Sequence, residues 1–175
     1  MSNMTTRTFT KTNTGILIAL EDVQAAFLSR KASILLDSGF NTIDFLSEKN
    51  GDTKEHFKNN IKKLKAIGNV KNRLTLPDGG FIMINLIKTV VNSELHSSVF
   101  IIGNNDKVLY SFDVDKYSDL EGLLDAIQDT LIAISSNKNG RVDWSAYTKI
   151  ATTQKNNSTA TVKNDSQTSP LAPAK

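Results

Sequence analysis

An α+β fold is predicted: N-terminal helices, then an antiparallel meander of three or more strands, packed by a C-terminal amphipathic helix and followed by a disordered polar tail. Three observations predict it. Apolar residues between Phe81 and Val114 keep a strand rhythm, those between Leu120 and Ile134 recur at steps of three and four, and the last stretch loses its apolar content.

Residues 1–14 are rich in Thr and Asn and show no periodicity, which predicts a flexible arm that orders only on binding. From Ile16 to about Asp37 neither Gly nor Pro interrupts the chain, and Val23, Phe27 and Ile34 stand at helical separations. A helix is expected there, stopped at Gly39. Asn41 to Leu46, apolar at Ile43, Phe45 and Leu46, is compatible with a strand or with the end of a helical hairpin. Asp52 and Glu55 have the spacing of a capping box, so a second helix should follow with Phe57, Ile61 and Leu64 on one face and Gly68-Asn69 at its end.

Pro77-Asp78-Gly79-Gly80 is the strongest turn signal, because proline presets φ and the glycines accept positive φ. Phe81 to Val91 is apolar at nearly every position and reads as one long strand buried on both faces for part of its length. After a loop over Asn92 to Ser97, Ser98 to Ile102 is a second strand, and Gly103-Asn104-Asn105-Asp106 turns it into a third over Lys107 to Val114. In that strand Val108, Tyr110, Phe112 and Val114 alternate with Leu109, Ser111 and Asp113, so one face is packed and the other partly wet.

Ser118 and Glu121 supply a capping box for the last helix. Its stripe is Leu120, Leu123, Leu124, Ile127, Leu131 and Ile134, with Asp119, Asp125 and Asp129 off it. Burying such a stripe contributes on the order of 10 kcal/mol gross, before chain entropy is subtracted. Beyond Asn137 the pattern fades, and Trp144 and Tyr147 are the last anchor points. The organisation expected is an arm over 1–14, one α+β domain over 15–150 and a disordered tail over 151–175.

A chain of 175 residues that is 39% hydrophobic suits a single core. Having no cysteine, it can hold no disulfide, thiolate zinc site or cysteine nucleophile. The N-terminus lacks the pattern of a secretory signal, and the longest apolar runs fall far short of the ~20 residues that cross a bilayer. The expected location is therefore the cytoplasm or a virus particle, with no membrane partner. No metal, phosphate-loop or nucleophile motif is legible, so no cofactor, small-molecule substrate or enzymatic activity is predicted.

Charge placement is the sharpest functional signal. Between Asp52 and Arg73, Lys54, Lys58, Lys62, Lys63, Lys65, Lys71 and Arg73 face only Asp52 and Glu55, a local balance of +5. Between Asn104 and Ser135 the balance is −5, so the +3 of the whole chain conceals a dipole. The basic set is the expected nucleic-acid-binding surface, since lysines that neutralise phosphates release counterions and bind strongly at low salt. Phe81 and Tyr110 on an exposed sheet face would add base stacking. The competing explanation is that these lysines solvate the outer face of an amphipathic helix, and the presence of one arginine among seven cations favours it.

In element order, a strand meander closed by a C-terminal helix resembles the Whirly-type single-stranded DNA-binding proteins, a similarity that transfers no site residues. Asp106, Asp113, Asp115 and Asp119 lack the spacing of a calcium loop and read as a strand end feeding a helix N-terminus. His56 and His96 have no carboxylate or serine partner at motif spacing. Two functions remain: a non-catalytic protein binding nucleic acid, single-stranded and without sequence preference, or a structural subunit, such as one of a virus or phage particle, that self-associates through arms and strand edges into a homo-oligomer or larger assembly.

Overall fold

In the computed structural model, which describes residues 7–29, 31–65 and 71–149, the segment expected to open as a helix is built of strands. Strands β1 (Phe9–Lys11) and β2 (Leu17–Ala19) form a short antiparallel hairpin, while β3 (Ala25–Leu28) and β4 (Ala32–Leu36) pair with each other. The reason is burial on both faces. Ala25, Phe27 and Leu36 enter one core, whereas Ala26 and Leu35 enter a second on the opposite side. A strand that is apolar on both sides reads as a continuous apolar run, which periodicity alone does not separate from a buried helix. Of the arm expected over 1–14, residues 1–6 lie outside the described residues, and Phe9–Lys11 is paired strand.

Gly39 ends no helix. It lies in the turn from β4 to β5 (Thr42–Ser47), where the Asp37 carboxylate accepts from the Gly39 and Asn41 N–H groups, each at 2.8 Å. Phe40 takes the left-handed conformation there, with φ 62°.

Helix α1 (Thr53–Leu64) starts where the capping spacing places it, because the Asp52 carboxylate accepts from the Lys54 and Glu55 N–H groups at 3.0 Å. It turns His56, Phe57, Asn60, Ile61 and Leu64 inward. The stop expected at Gly68-Asn69 lies outside the described residues.

Strands β6 (Arg73–Thr75) and β7 (Phe81–Met83) complete a five-stranded antiparallel sheet in the order β5-β4-β3-β7-β6. The long strand expected over Phe81 to Val91 is therefore divided. A 3-10 turn at Ile84–Leu86 carries the chain from β7 to β8 (Ile87–Ser93), which belongs to a different sheet, and Leu86 is buried at that corner. With β9 (Ser98–Gly103) and β10 (Val108–Asp113), β8 forms the three-stranded antiparallel meander, in the order β10-β9-β8.

Helix α2 (Leu120–Ser135) buries Leu123, Ile127, Thr130 and Ile134 and lies against β8, β9 and β6. Its N-cap is Asp119, not Ser118: the Asp119 carboxylate accepts from the Gly122 N–H at 2.9 Å, while the Ser118 N–H and hydroxyl both donate to the Tyr147 carbonyl. That second contact belongs to a closing segment in which Trp144 stacks on Phe112, ring centroids 5.3 Å apart and planes 12° from parallel. The tail expected over 151–175 lies outside the described residues.

Two cores follow from this arrangement. Phe57, Ile61 and Leu64 of α1 pack with Ile18, Leu20, Ala26 and Leu35, and Leu123 and Ile127 of α2 pack with Phe27, Ile82, Val99, Ile101 and Phe112. Helix α1 thus packs on one face of the five-stranded sheet, and helix α2 packs on the meander and edge strand β6 around the other core.

Candidate nucleic-acid interface

Helix α1 decides which of the seven cations can meet a ligand. Its inward positions leave Lys54, Lys58, Lys62 and Lys65 at steps of four, four and three, hence on one outer face, and all four are exposed. Among the described residues none of these four forms an ion pair. Lys63 is different: its ammonium donates to the Lys11 carbonyl at 2.7 Å and to Asn13 Oδ1 at 3.0 Å, tying α1 to the β1–β2 hairpin.

Lys71 and Arg73 stand apart from that row, before and at the start of edge strand β6. Arg73 is half-buried, its guanidinium 5.4 Å above the centre of the Phe81 ring. Lys65 and Arg73 line one small pocket, while Lys71 and Arg73 line a neighbouring cleft together with Lys138. Lys138 was not among the sequence candidates.

The proposed stacking residues are not on an exposed face. Phe81 is only 6% exposed, and Tyr110 is half-buried with its ring edge-on to Phe27 at 6.1 Å. The aromatic ring on the meander's open side is Phe100, in register with Val91 and Ser111 on the flanking strands. Alternation places it there: Val99 and Ile101 on either side of it are fully buried.

Three of the four acidic candidates have structural partners. Asp106 pairs with Lys88, Asp113 accepts from the Ser98 hydroxyl at 2.8 Å, and Asp119 caps α2. Among the described residues no group of three His, Asp or Glu is placed to hold a metal ion, and no helix is long and apolar enough to cross a membrane.

Sequence reasoning missed a buried polar network. The His56 ring has Nδ1 3.0 Å from Ser33 Oγ and Nε2 3.1 Å from Asp44 Oδ2, the latter contact off the line of a good hydrogen bond. Asp44 also accepts from the Asn60 amide at 2.7 Å and from the Thr14 hydroxyl. Ser, His and Asp are the residue types of a hydrolytic triad, but Ser33 is 0% exposed and Asp44 1%, so the hydroxyl has no route to a substrate. The trio joins β4, β5 and α1. Its signal was present: His56 and Asn60 share the helical stripe of Phe57, Ile61 and Leu64, and Asp44 interrupts an apolar strand.

Asp78 also does more than turn the chain. Its carboxylate accepts from the Leu28 N–H at 2.9 Å and the Gly80 N–H at 2.8 Å, stitching the β6–β7 turn to β3. Burial pushes its carboxyl above the usual range, partly offset by those backbone bonds. The Tyr110 hydroxyl lies 3.5 Å away, and its pKa is raised chiefly by burial and next by the Asp78 charge.

No protein-family profile, curated protein or solved structure matches this chain.

Proposed function

We propose that this chain is a non-catalytic protein that binds single-stranded nucleic acid without sequence preference, holding phosphates on the outer face of α1. The observation that carries this reading is the row Lys54, Lys58, Lys62 and Lys65, exposed and without ion-pair partners among the described residues. A lysine row that outnumbers Asp52 and Glu55 and pairs with neither keeps much of its field for an outside anion. With lysine as the main contact, recognition is by charge rather than by base, since point-like ammonium groups lack the planar fork that reads base edges.

The test is retention of a labelled single-stranded oligonucleotide by the Lys58→Glu, Lys62→Glu, Lys65→Glu triple variant. Wild type should bind at low salt with affinity falling steeply as salt rises, by roughly 0.7 log units per log unit of salt for each phosphate contacted. The triple variant should lose binding with its thermal transition nearly unchanged, because the three side chains are exposed. A variant that binds as wild type does overturns the reading.

A second reading, a subunit of a larger assembly, draws on the open side of the meander, where Val91 and Val108 are exposed and Phe100 and Ile102 half-exposed. Light scattering at low and high salt separates the two. A defined oligomer that persists at high salt and ignores the oligonucleotide supports the assembly subunit.

A further inference from the structure

We infer that the cleft between β6 and the C-terminal end of α2 is a phosphate-binding station, with Lys71, Arg73 and Lys138 as its cations. This rests on the nucleic-acid reading above and names where the phosphodiester backbone is held beyond α1. The cleft, about 450 Å³, is lined on its polar side by Lys71, Asn72, Arg73, Asn137, Lys138 and Asn139 and, among the described residues, by no carboxylate. Three cations border one concavity, and an anion held there would offset their mutual repulsion. The asparagine amides add neutral donors of the kind that contact phosphate oxygens.

The cations are presented by fixed backbone. Helix α2 ends in a Schellman arrangement: the Lys138 N–H donates to the Ala133 carbonyl at 2.9 Å, the Asn137 N–H to Ile134 at 3.0 Å, and Asn137 is left-handed at φ 56°. Asn72 is left-handed too, at φ 67°, and its carbonyl accepts from the Ile84 N–H at 2.9 Å, which pins the entry to β6. Between them Arg73 is steadied over Phe81. Because Arg73 also borders the small pocket beside Lys65, the cleft continues the lysine row of α1 around the sheet edge.

Two simpler roles compete. Lys138 follows the last turn of α2 and so complements the carbonyl end of that helix, while Lys71 and Arg73 guard an edge strand against pairing. Neither role requires three cations in one cleft without a carboxylate, and neither makes ligand affinity depend on the cleft.

The experiment compares wild type, the Arg73→Gln, Lys138→Gln double variant and the α1 triple variant, using a fluorescein-labelled oligothymidylate from low to high salt. The double variant should bind at least about tenfold more weakly at low salt, with its salt slope reduced by about 1.4, two contacts' worth. Unchanged affinity and slope in the double variant, with loss in the α1 variant, overturns the cleft and leaves the nucleic-acid reading standing. Should wild type itself fail to bind oligothymidylate, that reading falls, and titration with pyrophosphate followed by amide NMR decides the cleft alone. Saturable shifts at Asn72 and Asn139 that vanish in the double variant uphold an anion site, and their absence overturns it. Matching thermal transitions for all three proteins establish that folding is not the cause.

Discussion

Asp44 Oδ2 lies 3.1 Å from His56 Nε2, with both side chains buried where β5 meets α1. The carboxylate gathers the imidazole, the Asn60 amide and the Thr14 hydroxyl around one acceptor group. Removing it leaves the buried Asn60 amide without its acceptor and the buried imidazole without its nearest carboxylate, while the Thr14 hydroxyl, on an exposed residue, can turn to water. Asp44→Ala should therefore lower unfolding free energy by about 3 kcal/mol in urea titrations, with Asp44→Asn costing less because one acceptor oxygen survives. A change within about 0.5 kcal/mol for Asp44→Ala would mean the network contributes no stability.

Asp78 gives the fold a specific pH dependence. Its folded-state pKa is raised above the ordinary 3.8 by burial, so the folded chain binds this proton more readily than the unfolded chain. The resulting stability is fully present below the unfolded value and is lost as pH rises through the folded one. Wild type should thus gain on Asp78→Asn as pH falls from about 7 to about 4, read as the difference between their urea midpoints. A pH-independent difference would assign Asp78 a hydrogen-bonding role without the titration.

Gly80 sits where a side chain has no room. A Cβ there would lie 2.2 Å from the Ala26 carbonyl oxygen and 3.1 Å from the Phe57 ring, and the first of these is backbone in the centre of the sheet. Gly79 just before it needs a different property, positive φ at 87°. Gly80→Ala should cost on the order of 2 kcal/mol or more through displacement of β3 or α1, whereas Pro77→Ala, at a half-buried turn position, should cost less. Equal midpoints for Gly80→Ala and wild type would refute the close approach.

Local spacing was enough for the start and inward face of α1, its Asp52 cap, strands β9 and β10 of the meander and the outward row of Lys54, Lys58, Lys62 and Lys65. Each of these has one wet face, so alternation of apolar and polar residues records which side is which. The exception is in β10, where a bulge between Val108 and Tyr110 leaves Val108 exposed and buries Leu109, and beyond its end Val114 is exposed too. Ile16 to Asp37 carried no such record. Ala25 and Ala26, or Leu35 and Leu36, are neighbours that enter different cores, and only the presence of packing partners on both sides of β3 and β4 made them strands. The same holds for Phe81 to Val91, whose apolar run spans two sheets, since the corner at Leu86 exists only because both sheets need its neighbours.

The functional candidates divide along that line. Charge composition and helical phase select the exposed lysines of α1 without knowledge of any distant residue. Lys63 leaves the free set because a hairpin far back in the chain accepts its ammonium, and Lys138 joins Lys71 and Arg73 because α2 ends beside edge strand β6. His56 acquires Asp44 and Ser33 in the same way. Such pairings connect segments that helical and strand periods treat independently, so they are settled by how sheets and helices close on their cores and by nothing in the local pattern.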